Sequence, residues 1–150
     1  MTQARVKAVC ASAQRTEPKV SVGQGEFRAG WGLVDDSHAG PPVPNRWQIA
    51  LLAWEDTERL NQEKTLDAVP GSFAENLSTV GLDTAGLRVG DRLRVGEEVV
   101  LEVEQLGKPP EIAHTYSFQG TSLLPTRGVF CGVVTGGLVK EGDPIVVVKG

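Results

Sequence analysis

Charged and apolar residues alternate near the start of the chain. Arg5, Val6, Lys7 and Ala8, followed by Val9, have the two-residue period of a half-buried strand, predicted from Arg5 to Ser12. A second short strand is predicted at Val20 to Val22. From Glu26 to Asn45 the chain is mostly polar, broken by Gly30, Gly32, Gly40 and the cluster Pro41-Pro42-Val43-Pro44. That composition predicts a long loop, and long loops in compact domains usually carry function or motion. Trp47 to Ala53 is short and, Gln48 aside, apolar, the pattern of a buried strand. Glu55 to Lys64 is rich in Glu, Arg, Gln and Leu, which favours a helix. Its apolar stripe is thin, so the helix is expected on the surface. Beyond Pro70 the pattern is strand and turn: Arg92 to Val95 before Gly96, Val99 to Val103, and Ile145 to Val148 after Gly142-Asp143-Pro144. Gly90-Asp91 and Gly142-Asp143 form a short internal echo, each just before a strand. Many short strands separated by turns predict a closed or nearly closed barrel.

Composition narrows the class without changing this picture. One hundred and fifty residues suit one domain spanning 1–150, long enough to bury a core unaided. Eighteen glycines and nine prolines agree with a chain of many turns. A formal charge of −4 argues against nonspecific nucleic-acid binding, which wants a basic face. No apolar run reaches the roughly 20 residues that cross a bilayer, and Met1 to Arg15 has no signal-peptide core. Cys10 and Cys131 form no CxxC pair and cannot build a cysteine metal site. No membrane partner and a cytoplasmic location are expected.

Four blocks between Pro70 and Pro110 carry a resemblance. They are Pro70-Gly71-Ser72-Phe73-Ala74-Glu75-Asn76, Gly90-Asp91-Arg92-Leu93-Arg94-Val95-Gly96, the strand-like Glu98 to Leu106, and Gly107-Lys108-Pro109-Pro110. Their order resembles the MOSC domain, named for its place at the C-terminus of molybdenum cofactor sulfurases. Further blocks extend the likeness over most of the chain. Leu33-Val34-Asp35-Asp36-Ser37-His38-Ala39-Gly40 resembles the family's Gly-Asp-x-His-Ala-Gly segment, with Asp35 where glycine is usual. Arg46-Trp47-Gln48-Ile49-Ala50-Leu51-Leu52 resembles its Arg-Gln-Val-Ser-Leu-Leu strand, and Gly128 to Asp143 its closing segment. Ala74 stands where glycine usually precedes the glutamate, and Gly132 where arginine is usual. In the family the Gly-Lys-Pro-Cys cysteine is thought to carry sulfur or ligate molybdenum; here that position is Pro110. Proline has neither a thiol nor a backbone N–H to offer in its place.

The resemblance implies a mostly β fold, a MOSC-type β-barrel with one or two short helices. It also implies a small stand-alone protein of molybdenum cofactor metabolism, which binds molybdenum or molybdopterin or delivers sulfur to a metal–sulfur centre. Because Pro110 replaces the thiol, a noncatalytic descendant that binds an anion, a pterin or a protein partner stands beside that reading. Whether the protein is an enzyme, with a sulfur-carrier or transferase-like role, stays open. Pyridoxal phosphate binding belongs to the family only by association with fused lyase domains. The candidate cofactor contacts are His38, Arg46, Glu75, Asn76 and Arg127. Arg46 and Arg127 carry guanidinium forks suited to phosphate, and His38 can donate, accept or shuttle a proton. Glu75 and Asn76 either line the pocket or tie down their own turn. His114 is expected to be a surface residue, and no conventional metal site is expected. Cys131 is the one substitute thiol, but its apolar and glycine neighbours predict that it is buried and inert, and Cys10 likewise.

Overall fold

The computed structural model describes residues 3–15, 17–44, 47–108 and 117–150. The fold is mostly β. Eleven strands are described: β1 (Arg5–Ala11), β2 (Val20–Ser21), β3 (Gln24–Arg28), β4 (Gly32–Leu33), β5 (Ile49–Ala53), β6 (Leu77–Val80), β7 (Arg92–Val95), β8 (Val99–Leu106), β9 (Val129–Thr135), β10 (Gly137–Lys140) and β11 (Ile145–Val148). Two helices accompany them, α1 (Trp54–Lys64) and α2 (Leu124–Arg127).

Eight strands form one sheet in the order β11-β7-β8-β9-β5-β6-β1-β2, and β10-β3-β4 form a second. Among the described residues, strand pairing does not close the larger sheet into the expected barrel. Between its opposite sides lies one isolated bridge, Arg5 with Pro144. The segment predicted as a loop from Glu26 to Asn45 departs from expectation at its start, where β3 and β4 pair with each other and β3 with β10. Phe27, the one buried residue of β3, packs inward between exposed neighbours. So little alternation in a stretch of Gln, Gly, Glu and Arg does not read as a strand.

β5 explains its own continuous apolar sequence. Ile49 and Leu51 join the main core, whereas Leu52 joins a smaller cluster with Phe73, Leu124 and Phe130. A strand covered on both faces loses alternation. β5 runs directly into α1, which crosses over to deliver β6 parallel to β5. α1 carries Glu55 and Asp56 in its first turn, where negative charge complements the helix dipole, and ends at Thr65 in a left-handed conformation (φ 53°). Only Asp56 and Thr57 of α1 are buried, as its thin apolar stripe predicts. Arg92 and Arg94 alternate outward from β7 against buried Leu93 and Val95. No helix among the described residues is long and apolar enough to cross a membrane.

Candidate functional site

The strongest concentration of buried charge lies where the chain leaves β1 and enters β2. Lys19 is only 2% exposed, and its Nζ donates to Asp36 Oδ1 at 2.7 Å and to Ser12 Oγ at 3.1 Å. His38 Nδ1 lies 3.1 Å from the same Nζ, and Ser37 Oγ 3.4 Å. Asp36 is clamped from several sides. Its Oδ1 also accepts the Ser12 backbone N–H at 3.0 Å, and its Oδ2 accepts the His38 backbone N–H at 3.0 Å. Burial opposes a charged Asp36, yet the Lys19 ammonium and the backbone N–H groups of Ser12 and His38 outweigh it and hold the carboxyl well below the usual carboxylate range. The result is a dry, neutralised ion pair beneath a half-exposed imidazole, whose side chain is 38% accessible.

The best-matched block, Pro70 to Asn76, supports this cluster from behind. Lys19 N–H donates to Gly71 O at 2.9 Å. A Cβ at Gly71 would collide with the Lys19 carbonyl, and its φ of +92° also favours glycine. Glu75, wholly buried, accepts from Gly71 N–H at 3.0 Å, Phe73 N–H at 3.2 Å and Ser78 Oγ at 2.8 Å. Desolvation raises its pKa above the ordinary value despite these bonds. Asn76 Oδ1 accepts from Ala50 N–H at 3.0 Å, while its Nδ2 donates to Cys10 O at 3.3 Å. Glu75 therefore ties its own turn, and Asn76 links β5 to β1. Both side chains turn into the protein. Their route to His38 runs through Gly71 and Lys19. Sequence reasoning singles out neither Lys19 nor its partners Asp36 and Ser12.

The other candidates lie apart from this cluster. Arg127 pairs with Asp56 at 3.2 Å, so α2 is tied to α1 through its guanidinium. Arg46, Pro110 and His114 lie outside the described residues. Cys131 and Cys10 are both buried, as their neighbours predict. Burial is the main cause that pushes both thiols up, Cys10 to about 12 and Cys131 further. A thiolate is thus strongly disfavoured at either position.

A groove of about 510 Å³ opens between Pro42, Pro44 and Trp47 on one side and Glu102 and Glu104 on the other. It leads towards a recess of about 130 Å³ beside Gly132. A Cβ on Gly132 would stand 2.7 Å from Glu104 Oε2, so the Glu104 carboxylate takes the room that a side chain there would need. Burial and the neighbouring Glu102 raise the Glu104 pKa. Lys108 Nζ sits 5.1 Å over the Phe130 ring, itself packed on Trp47, and burial lowers the Lys108 pKa. Two carboxylates thus line this groove, and one of them, Glu102, is paired with Arg92 at 3.2 Å.

Among solved structures, the chain is similar to the YuaD protein from Bacillus subtilis, with 19% identity and a TM-score of 0.77 over 99% of this chain and 97% of that one. It is also similar to YiiM from Geobacillus stearothermophilus, at 18% identity and a TM-score of 0.71 over 97% of this chain and 75% of that one. YiiM from Escherichia coli has 21% identity and a TM-score of 0.65 over 97% of this chain and 70% of that one. These likenesses speak for the fold. No curated protein matches the chain by sequence. The MOSC domain is matched over residues 35–146, which takes in the His38 loop, the Pro70 to Asn76 turn and the Gly107-Lys108 turn, and the chain belongs to the MOSC domain family.

Proposed function

We propose that this protein serves molybdenum cofactor metabolism as a binding member of its family, holding an oxyanion such as molybdate or the phosphate of a pterin cofactor without thiol chemistry. The observation that carries this reading is the state of its sulfur. Both cysteines are buried with disfavoured thiolates, and the family's thiol position is Pro110. Sulfur delivery and thiolate ligation of molybdenum both need what these residues lack. Nor do three or more His, Cys, Asp or Glu converge as a metal-binding group among the described residues. The donor set therefore does not fit a protein-ligated molybdenum.

Hydrogen bonding to an oxyanion is what the remaining groups offer. His38 is an accessible polar group of the buried cluster, and Arg46 is the arginine partner proposed from the family resemblance. Arg127 takes a lesser part, because Asp56 already engages it. Isothermal titration with sodium molybdate and with a pterin phosphate tests the reading. Arg46→Ala should weaken binding roughly tenfold or more, since a charged hydrogen bond is worth about 1.5–3 kcal/mol. No binding by the wild type would sink the proposal, and equal binding by the variant would remove Arg46 from the site. Native thiol titration should label neither cysteine quickly. Rapid native labelling of Cys131 would restore a sulfur-carrier role.

A further inference from the structure

The buried lysine needs an explanation, because a lysine this far from water usually marks a specific task or a liability. An ammonium has three N–H donors and no acceptor. Asp36 Oδ1 at 2.7 Å and Ser12 Oγ at 3.1 Å take two of them. The third meets His38 Nδ1 at 3.1 Å, with Ser37 Oγ more distant at 3.4 Å. A proton on Nδ1 would set two donors head to head at that separation. The competing arrangement has Nδ1–H pointing to Asp36 Oδ2, but that gap is 3.7 Å, beyond hydrogen-bond reach, and Oδ2 already accepts the His38 backbone N–H. Ser37 Oγ, 3.3 Å from Nδ1, can also donate to it. Among the described residues no hydrogen-bond partner meets Nε2, the other ring nitrogen.

We infer that Lys19, held by Asp36, is a positioning residue that fixes the tautomer of His38, so that the neutral imidazole presents Nε2–H as a donor to an oxygen of the ligand. Asp36 anchors both parts, gripping the His38 main chain with one oxygen and the lysine with the other. The ligand half of this inference rests on the oxyanion-binding function proposed above; the tautomer half does not.

Long-range proton–nitrogen correlation spectra of the intact protein, recorded at mildly alkaline pH without ligand, test the tautomer directly. The wild type should show protonated Nε2 and bare Nδ1, with a correlation across the hydrogen bond between the Lys19 ammonium and His38 Nδ1. A protonated Nδ1, or no such correlation, overturns the assignment. Free imidazole itself leans towards Nε2–H, so a protonated Nε2 does not decide by itself: the correlation to the Lys19 ammonium must accompany it, and a folded variant should show dependence on Lys19. Lys19→Met combined with Asp36→Asn removes both charges together and avoids a stranded buried ion. Its ring nitrogens should move to the averaged positions of a mixed tautomer; an unchanged pattern removes Lys19 from the role. If the double variant does not fold, the wild-type correlation decides alone. Titrations with sodium molybdate and with inorganic phosphate then separate the two parts. A roughly tenfold weaker affinity in the folded double variant supports ligand contact through His38. If neither anion binds the wild type, the oxyanion function falls while the tautomer assignment stands.

Discussion

Four described residues other than glycine have positive φ, and two of them bear on the family comparison. Asp35 and Ala74 have φ of 72° and 69°, and both stand where the family resemblance places glycine. A left-handed alanine costs about 1–2 kcal/mol, and a glycine adds about 0.4–1 kcal/mol of unfolded-state freedom to be lost on folding. Strain outweighs entropy, so Ala74→Gly should stabilise the protein by about 0.5–1 kcal/mol, read as a higher urea midpoint. The next residue gives a pH effect. The folded Glu75 carboxyl has a raised pKa, so the folded state favours its protonated form. Stability should therefore fall as pH rises above 4.5, the ordinary value, and level off once the folded group has ionised. Comparing unfolding free energies of wild type and Glu75→Gln across that window isolates the effect, because glutamine does not titrate. Parallel curves would mean that Glu75 ionises in the folded protein as it does in the unfolded chain.

At the scale of elements, Asn76 does work that no strand pairing supplies. β1 and β5 flank β6 without pairing with each other, and the Asn76 side chain and backbone connect both to the turn that precedes β6. Asn76→Ala would leave the half-buried Ala50 N–H and the buried Cys10 C=O without this partner. The expected loss is about 2–4 kcal/mol by chemical denaturation, since each unsatisfied group costs about 1–3 kcal/mol. A loss within a few tenths of a kcal/mol would mean that water replaces the amide. Elements with a strong local pattern were legible in the sequence: the apolar run of β5, the helix formers of α1, the arginines alternating outward on β7. The small sheet was not, because β3 carries one inward side chain and β4 spans two residues. Lys19 was hidden for a different reason. Glu17-Pro18-Lys19 reads as a solvated turn, and only the fold brings Asp36 and His38 over it. His38 was legible through its motif, whereas the residue that holds its ring had no local signal.

For the whole molecule, the described strands leave the main sheet open where β1 meets the approach to β11. The contact there consists of the Arg5–Pro144 bridge and the backbone bonds Val6 N to Asp143 O, Gly142 N to Val6 O and Ile145 N to Ala4 O. Pro144 has no N–H to give, so the pairing cannot extend as a regular ladder through that residue. The joined segments are also separated by nearly the whole chain. Contacts so remote in sequence are slow to form, and short ladders open locally at low free energy. This seam should behave as a latch, closing last during folding and parting first in the native state. Amide hydrogens of Val6, Gly142 and Ile145 should then exchange with solvent well before those in the β8–β9 pairing. Equal protection would instead mean that the sheet opens only as a unit. A latch there would let the ends of the sheet part for brief intervals while the lysine, aspartate and imidazole stay bound to one another, so the timing of opening and the integrity of the site would be set by different parts of one fold.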